Sequence, residues 1–145
     1  MDRLLEREQS GPLHLRNPAI ARLTVDAFLH GADSLRFYEL HAYVVMANHV
    51  HLLITPLVDL AKITHSLKRF TAREANRILA LTGKPFWQDE SYDRLVRDCD
   101  EFERIRRYIE YNPVRAGLVT LPEEYPWSSA RRRLEIGAQL TKLPH

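Results

Sequence analysis

The chain has 145 residues, 45% of them hydrophobic and 9% aromatic, with 21 basic and 19 acidic residues and a net charge of +2. That is enough for one domain with its own core, and it argues against disorder as the main state. No apolar run approaches the roughly 18 residues that cross a bilayer, the charged start lacks the apolar stretch of a secretory signal, and a single cysteine, Cys99, excludes a disulfide framework or a cysteine-clustered zinc site. The expectation is one cytoplasmic domain over residues 1–145, with residues 1–16 and 133–145 irregular.

Asn17–His30 reads as the first helix. Asn17 is placed as its N-cap and Pro18 at its first position, and Ile20, Leu23, Val25, Ala27 and Phe28 supply an apolar stripe. Arg36–Met46 mixes aromatic and β-branched residues and predicts a strand. Ala47 and Asn48 make a turn, and His49–Thr55 predicts a second strand closed by Pro56, so the two form an antiparallel hairpin. A long helix follows over Leu57–Leu81, with Leu60, Ile63, Leu67 and Phe70 as its core stripe, and the Thr82–Pro85 break ends it. Residues 62–84 hold six basic residues and one acidic residue. Such a helix either contacts a polyanion or carries a solvated face. A short strand is expected near Tyr92–Val96, then a helix over Asp98–Asn112 stopped by Pro113. This order predicts an α+β sandwich, a small antiparallel sheet with helices on one face.

The chemistry gathers at two places. His49-Val50-His51 sits on a strand, where side chains alternate, so both imidazoles leave one face and could share a divalent ion. The same pattern suits a plain polar sheet face, and zinc hydrolases, cupin-like metal sites and nucleases all fit it. On the last predicted helix, Tyr108 and Asn112 are one turn apart and border the stripe of Phe102, Ile105 and Ile109 that faces the sheet, whereas Tyr111 points away from that stripe. Tyr108 is therefore the tyrosine able to look at a metal held on the sheet, and Asn112 could add an amide oxygen. A packing role is the simpler reading of a helix tyrosine.

Five ordered blocks, HAYVVMANHVHLLITP, LKRFTAREANRIL, FWQDESYDRLVRD, YIEYNPVRAGLV and EYPWSSA, resemble the REP-associated tyrosine transposases of the single-tyrosine HUH transposase superfamily (IS200-like transposases). The resemblance runs from about Gly11 to Arg132. It implies a ferredoxin-like fold and a metal-dependent endonuclease and strand transferase acting on single-stranded DNA at palindromic hairpins. It places the metal-binding histidines on His49 and His51, the nucleophile on Tyr108 and the completing ligand on Asn112, with Mg²⁺ or Mn²⁺ as cofactor. Lys68, Arg69, Arg73, Arg77, Arg97 and Arg115 are read as contacts to the DNA backbone.

The chain departs from the family pattern in two places. Ala47 stands where a proline is usual, and MDRLLEREQSGPLHLR looks too charged to be the family's first strand. A missing strand would open a sheet edge for a second copy of the chain to cover. It would also favour an alternative, a truncated or domesticated protein that binds hairpin DNA in the nucleoid without cutting it. No membrane partner is expected.

Overall fold

The computed structural model describes residues 2–9, 14–80 and 87–141; the Thr82–Pro85 break and the last four residues of the expected tail lie outside the described residues. Its elements are β1 (Arg3–Gln9), α1 (Pro18–Asp33), β2 (Tyr38–Val45), β3 (His49–Pro56), α2 (Leu60–Leu79), β4 (Trp87–Leu95), α3 (Cys99–Arg115) and α4 (Ser129–Thr141). All four strands join one antiparallel sheet in the order β2-β3-β1-β4. The α+β class and the hairpin of β2 and β3 are as the sequence predicts.

The expected missing strand is present. Residues 3–9, read from their charge as irregular, form β1 between β3 and β4. Among the described side chains of this strand, Leu4 and Leu5 enter a core, one on each face of the sheet. A strand flanked on both sides is held by two ladders of backbone hydrogen bonds, so it forms despite carrying little apolar surface. With β1 in place, the argument for a second copy loses its ground. On the β2 side the outer strand is also covered within the chain, since Val45 N–H donates to the Trp127 carbonyl at 2.9 Å and Val44 bridges Ser128.

The helices lie on both faces, which corrects the one-sided sandwich. Val50, Leu52 and Ile54 of β3 pack with Ile20, Val25 and Phe28 of α1 and with Ile63 and Ala75 of α2. Leu53 of β3, with Ala42 and Val44 of β2, packs on the other face against Ile105 and Ile109 of α3. Each of the Val, Leu, Ile and Phe side chains contributes about 1.5–3 kcal/mol by leaving water, so the period-two pattern of β3 fixes which helix covers which face. On α1, the Asn17 side-chain oxygen accepts from Ala19 N–H at 2.9 Å. Gly31 is needed there because a Cβ would come within 2.5 Å of the Tyr38 hydroxyl, which donates to the Phe28 carbonyl.

Two boundaries move. The helix expected to stop at Pro113 runs on to Arg115 with Pro113 buried inside it. A proline in the last turn removes a single backbone hydrogen bond, and the Asn112 and Val114 carbonyls are capped by Ala116 and Gly117 N–H groups. Residues 133–141, expected to be irregular, belong to α4. Its anchor is Glu110, a buried carboxylate of α3 that accepts from Ser129 Oγ at 2.6 Å, from both terminal nitrogens of Arg133 at 2.7 and 3.0 Å, and from Arg106 at 2.9 Å.

Candidate active site

Because His49, His51 and Leu53 alternate with Val50, Leu52 and Ile54, both imidazoles point to the α3 side of the sheet. Their ring centroids are 4.9 Å apart. The turn that carries them closes with Met46 N–H donating to the His49 carbonyl at 2.8 Å, so the Ala47 departure leaves it formed.

Each ring is oriented through its Nδ1. His49 Nδ1 donates to Asn48 Oδ1 at 2.8 Å. His51 Nδ1 lies 3.2 Å from a carboxylate oxygen of Glu6 on β1, without the alignment of a full hydrogen bond, so this buried nitrogen is otherwise unpartnered. The cross-strand register sets this up, pairing Glu6 with His51 and Glu8 with His49. Burial, then the neighbouring His49 and Arg115 charges, push the His51 pKa down to about 4. His51 is therefore a neutral imidazole at physiological pH, the form that offers a lone pair.

Tyr108 reaches the pair from α3, its ring edge-on to His51 with centroids 5.8 Å apart. The Arg115 guanidinium lies over the Tyr108 ring at 4.5 Å and also donates to the Tyr108 carbonyl. This contact depends on α3 continuing through Pro113, since Arg115 must sit two helical turns beyond Tyr108 to reach back. Tyr108 is 47% exposed, leaving it open to a ligand. Asn112 is half-buried one turn further along the same helix.

The other predicted residues are not gathered here. Lys68, Arg69, Arg73 and Arg77 lie on α2, across the sheet from the histidines. Arg73 and Arg77 each stand 3.4 Å from Glu74. Arg97 precedes α3 and holds buried Glu101 at 2.7 Å, eleven residues before Tyr108. Sequence reasoning missed Glu6 because its strand was not recognised; the signal was the adjacent Leu4-Leu5 within alternating charges. Trp127 packs against the α1-side core under the Arg22 guanidinium. Among the described residues no three His, Cys, Asp or Glu side chains converge as a metal cluster, and no helix is long and apolar enough to cross a membrane.

Comparisons with known proteins converge. A candidate REP-associated tyrosine transposase of Haemophilus influenzae (strain Rd) is 26% identical over 106 residues, 66% of this chain and 60% of that protein's length. A REP-associated tyrosine transposase solved with a REP hairpin has the same fold, with a TM-score of 0.72 at 19% identity over 94% of this chain and 80% of that one. A candidate transposase from Deinococcus radiodurans R1 gives 0.52 at 21% identity, covering 76% and 88%. The profile of IS200-like transposases matches residues 21–112, a span that takes in both histidines, Tyr108 and Asn112. With more than half of its length matched in this way, the chain belongs to the IS200-like transposase family.

Proposed function

We propose that the chain is a single-strand DNA endonuclease and strand transferase that cuts at hairpin-bearing sites, with Tyr108 as its nucleophile. The observation that carries this reading is the meeting of Tyr108 with the His49–His51 pair across the α3–sheet interface, under the Arg115 cation. A zinc hydrolase of simple esters would give Tyr108 no task. The hairpin-bound state of the solved relative supports hairpin DNA as the partner and, with it, the reading that the protein works in the nucleoid.

In the proposed reaction the Tyr108 oxygen bonds to the scissile phosphorus and the bond from phosphorus to the 3′ oxygen breaks. The phenolic proton leaves to water, and the departing oxygen takes up a proton to become a 3′-hydroxyl. A 5′-phosphotyrosine remains, and it keeps the phosphoester bond for rejoining without a nucleotide cofactor. Arg115, one guanidinium away, offsets the charge that builds on the phosphate.

The histidine pair fits a divalent ion. Both rings have Nδ1 turned to an oxygen, and His51 stays neutral, the form that can ligate an ion. His49 and His51 would hold the ion with the Asn112 amide, in an open nitrogen and oxygen set suited to Mn²⁺ or Mg²⁺. Once bound, the ion would polarise the phosphate oxygens. Glu6, contacting His51 through Nδ1, would fix that ring's tautomer and orientation.

The test is a denaturing gel with a 5′-extended hairpin oligonucleotide and Mn²⁺. Wild-type protein should form a covalent adduct that Tyr108→Phe lacks. An adduct that survives Tyr108→Phe and disappears in Tyr111→Phe would refute the assignment. The non-cutting alternative drew on a missing first strand, and β1 removes that support.

A further inference from the structure

A cavity of about 910 Å³ opens beside Tyr108 between α3 on one side and Pro122–Glu123 and α4 on the other. Its α3 wall is a stripe of Arg104, Tyr108, Tyr111 and Arg115, spaced four, three and four residues apart and so aligned on one helical face. Arg107 stands beside this stripe, and Leu134 and Glu123 line the far wall.

Five arginines border the cleft, but they are not equivalent. Arg106 and Arg133 are committed to Glu110, and Arg106 also to Glu103. Of these bonds, the one from Arg133 to Glu110 ties α4 to α3. Arg104 and Arg107 are exposed and form no salt bridge among the described residues; Glu103, which Arg107 helps to keep ionised through space, is itself bonded to Arg106. Arg115 lies on Tyr108. Tyr111 is 47% exposed, an amphipathic ring that lines the cleft. Exposed guanidinium groups beside a partly exposed aromatic ring suit a flexible single strand, whose phosphates need cations and whose unpaired bases need surfaces to stack on.

We infer that the α3–α4 cleft is the track for the single-stranded segment next to the scissile phosphate, with Arg104 and Arg107 holding backbone phosphates and Tyr111 stacking a base. The inference deepens the proposed function and rests on it. It follows from continuity, because Tyr108 is shared by the histidine site and the cleft, so a strand presenting its phosphate to Tyr108 enters the cleft with its neighbouring nucleotides. A duplex stem has no unpaired bases to offer Tyr111.

Fluorescence anisotropy with labelled DNA tests this, using a hairpin with a single-stranded extension and the same hairpin without it. Arg104→Ala with Arg107→Ala should flatten the slope of log K against log salt by about 1.4 on the extended hairpin, at roughly 0.7 per phosphate contact on a single strand. It should leave the bare hairpin nearly unaffected, and the double lysine variant should keep the slope. Tyr111→Ala should weaken the extended substrate by about 5- to 150-fold, and Tyr111→Trp should restore it. A wild-type slope in the alanine double variant, or an equal loss on both substrates, overturns the inference while adduct formation by the wild type leaves the proposed function standing. A wild type that neither binds the extended hairpin nor forms the adduct overturns both.

Discussion

Helices α2 and α3 differ in a way that charge counting inverts. Helix α2 carries five basic residues and one acidic residue, whereas α3 carries four of each. By composition α2 is the obvious surface for a polyanion and α3 is neutral. In three dimensions two of the four acids of α3, Glu101 and Glu110, are buried and neutralised by Arg97, Arg106 and Arg133, and a third, Glu103, is bonded to Arg106. The cations left over on α3 lie beside Tyr108, while those of α2 lie across the sheet from it. What a ligand meets is the charge of a face, and net charge along a segment averages over faces that point in opposite directions.

The sharpest way to break this comparison is at the tyrosines, which share the cleft. Tyr108→Phe should remove the covalent adduct completely, and Tyr111→Phe should keep it, on a denaturing gel in Mn²⁺.

Next in size is a pH effect confined to the α3 face. The folded protein keeps His51 neutral down to about pH 4, whereas the unfolded chain takes up that proton near the ordinary 6.5. The unfolded state therefore binds more protons in this window, and stability falls as pH drops from about 6.5 to 4, by on the order of 3 kcal/mol from this group. Urea midpoints of the metal-free protein at the two ends should show the drop, and His51→Asn should reduce it. An unchanged drop in His51→Asn would assign the effect to other groups.

Glu6 sharpens the comparison from the opposite direction, since its value depends on His51 alone. Glu6→Ala should weaken Mn²⁺ binding, read by electron paramagnetic resonance, by about 10- to 100-fold. Glu6→Gln, which retains an acceptor oxygen, should recover much of it. The smallest effect belongs to α2. Arg69→Ala with Arg73→Ala should change thermal stability by less than about 1 kcal/mol, as exposed charges do. It should flatten the salt slope on the extended hairpin less than the Arg104 and Arg107 pair does; a larger flattening would return the strand to α2.

The sequence by itself determined much of this protein. The alternation in HVHLLIT set both histidines on one face, since period two is a property of any strand. Helical spacing set Tyr108 at the border of the Phe102–Ile105–Ile109 stripe, where the structure has it against His51. The α+β class and the β2–β3 hairpin were legible for the same reason: local periodicity, turn residues and caps are encoded within a few neighbouring residues. Only the tertiary structure decided the rest. RLLEREQ carries too little apolar surface to announce a strand, and it becomes one because β3 and β4 supply hydrogen-bonding partners on both sides. Glu6 meets His51 through that pairing, across forty-five positions of sequence. Whether a helix covers one face of the sheet or both, and which arginines a buried Glu110 removes from the surface, depends on contacts between elements distant along the chain. Local pattern carries no record of such contacts, because burial and pairing energies are settled only once the layers close on one another.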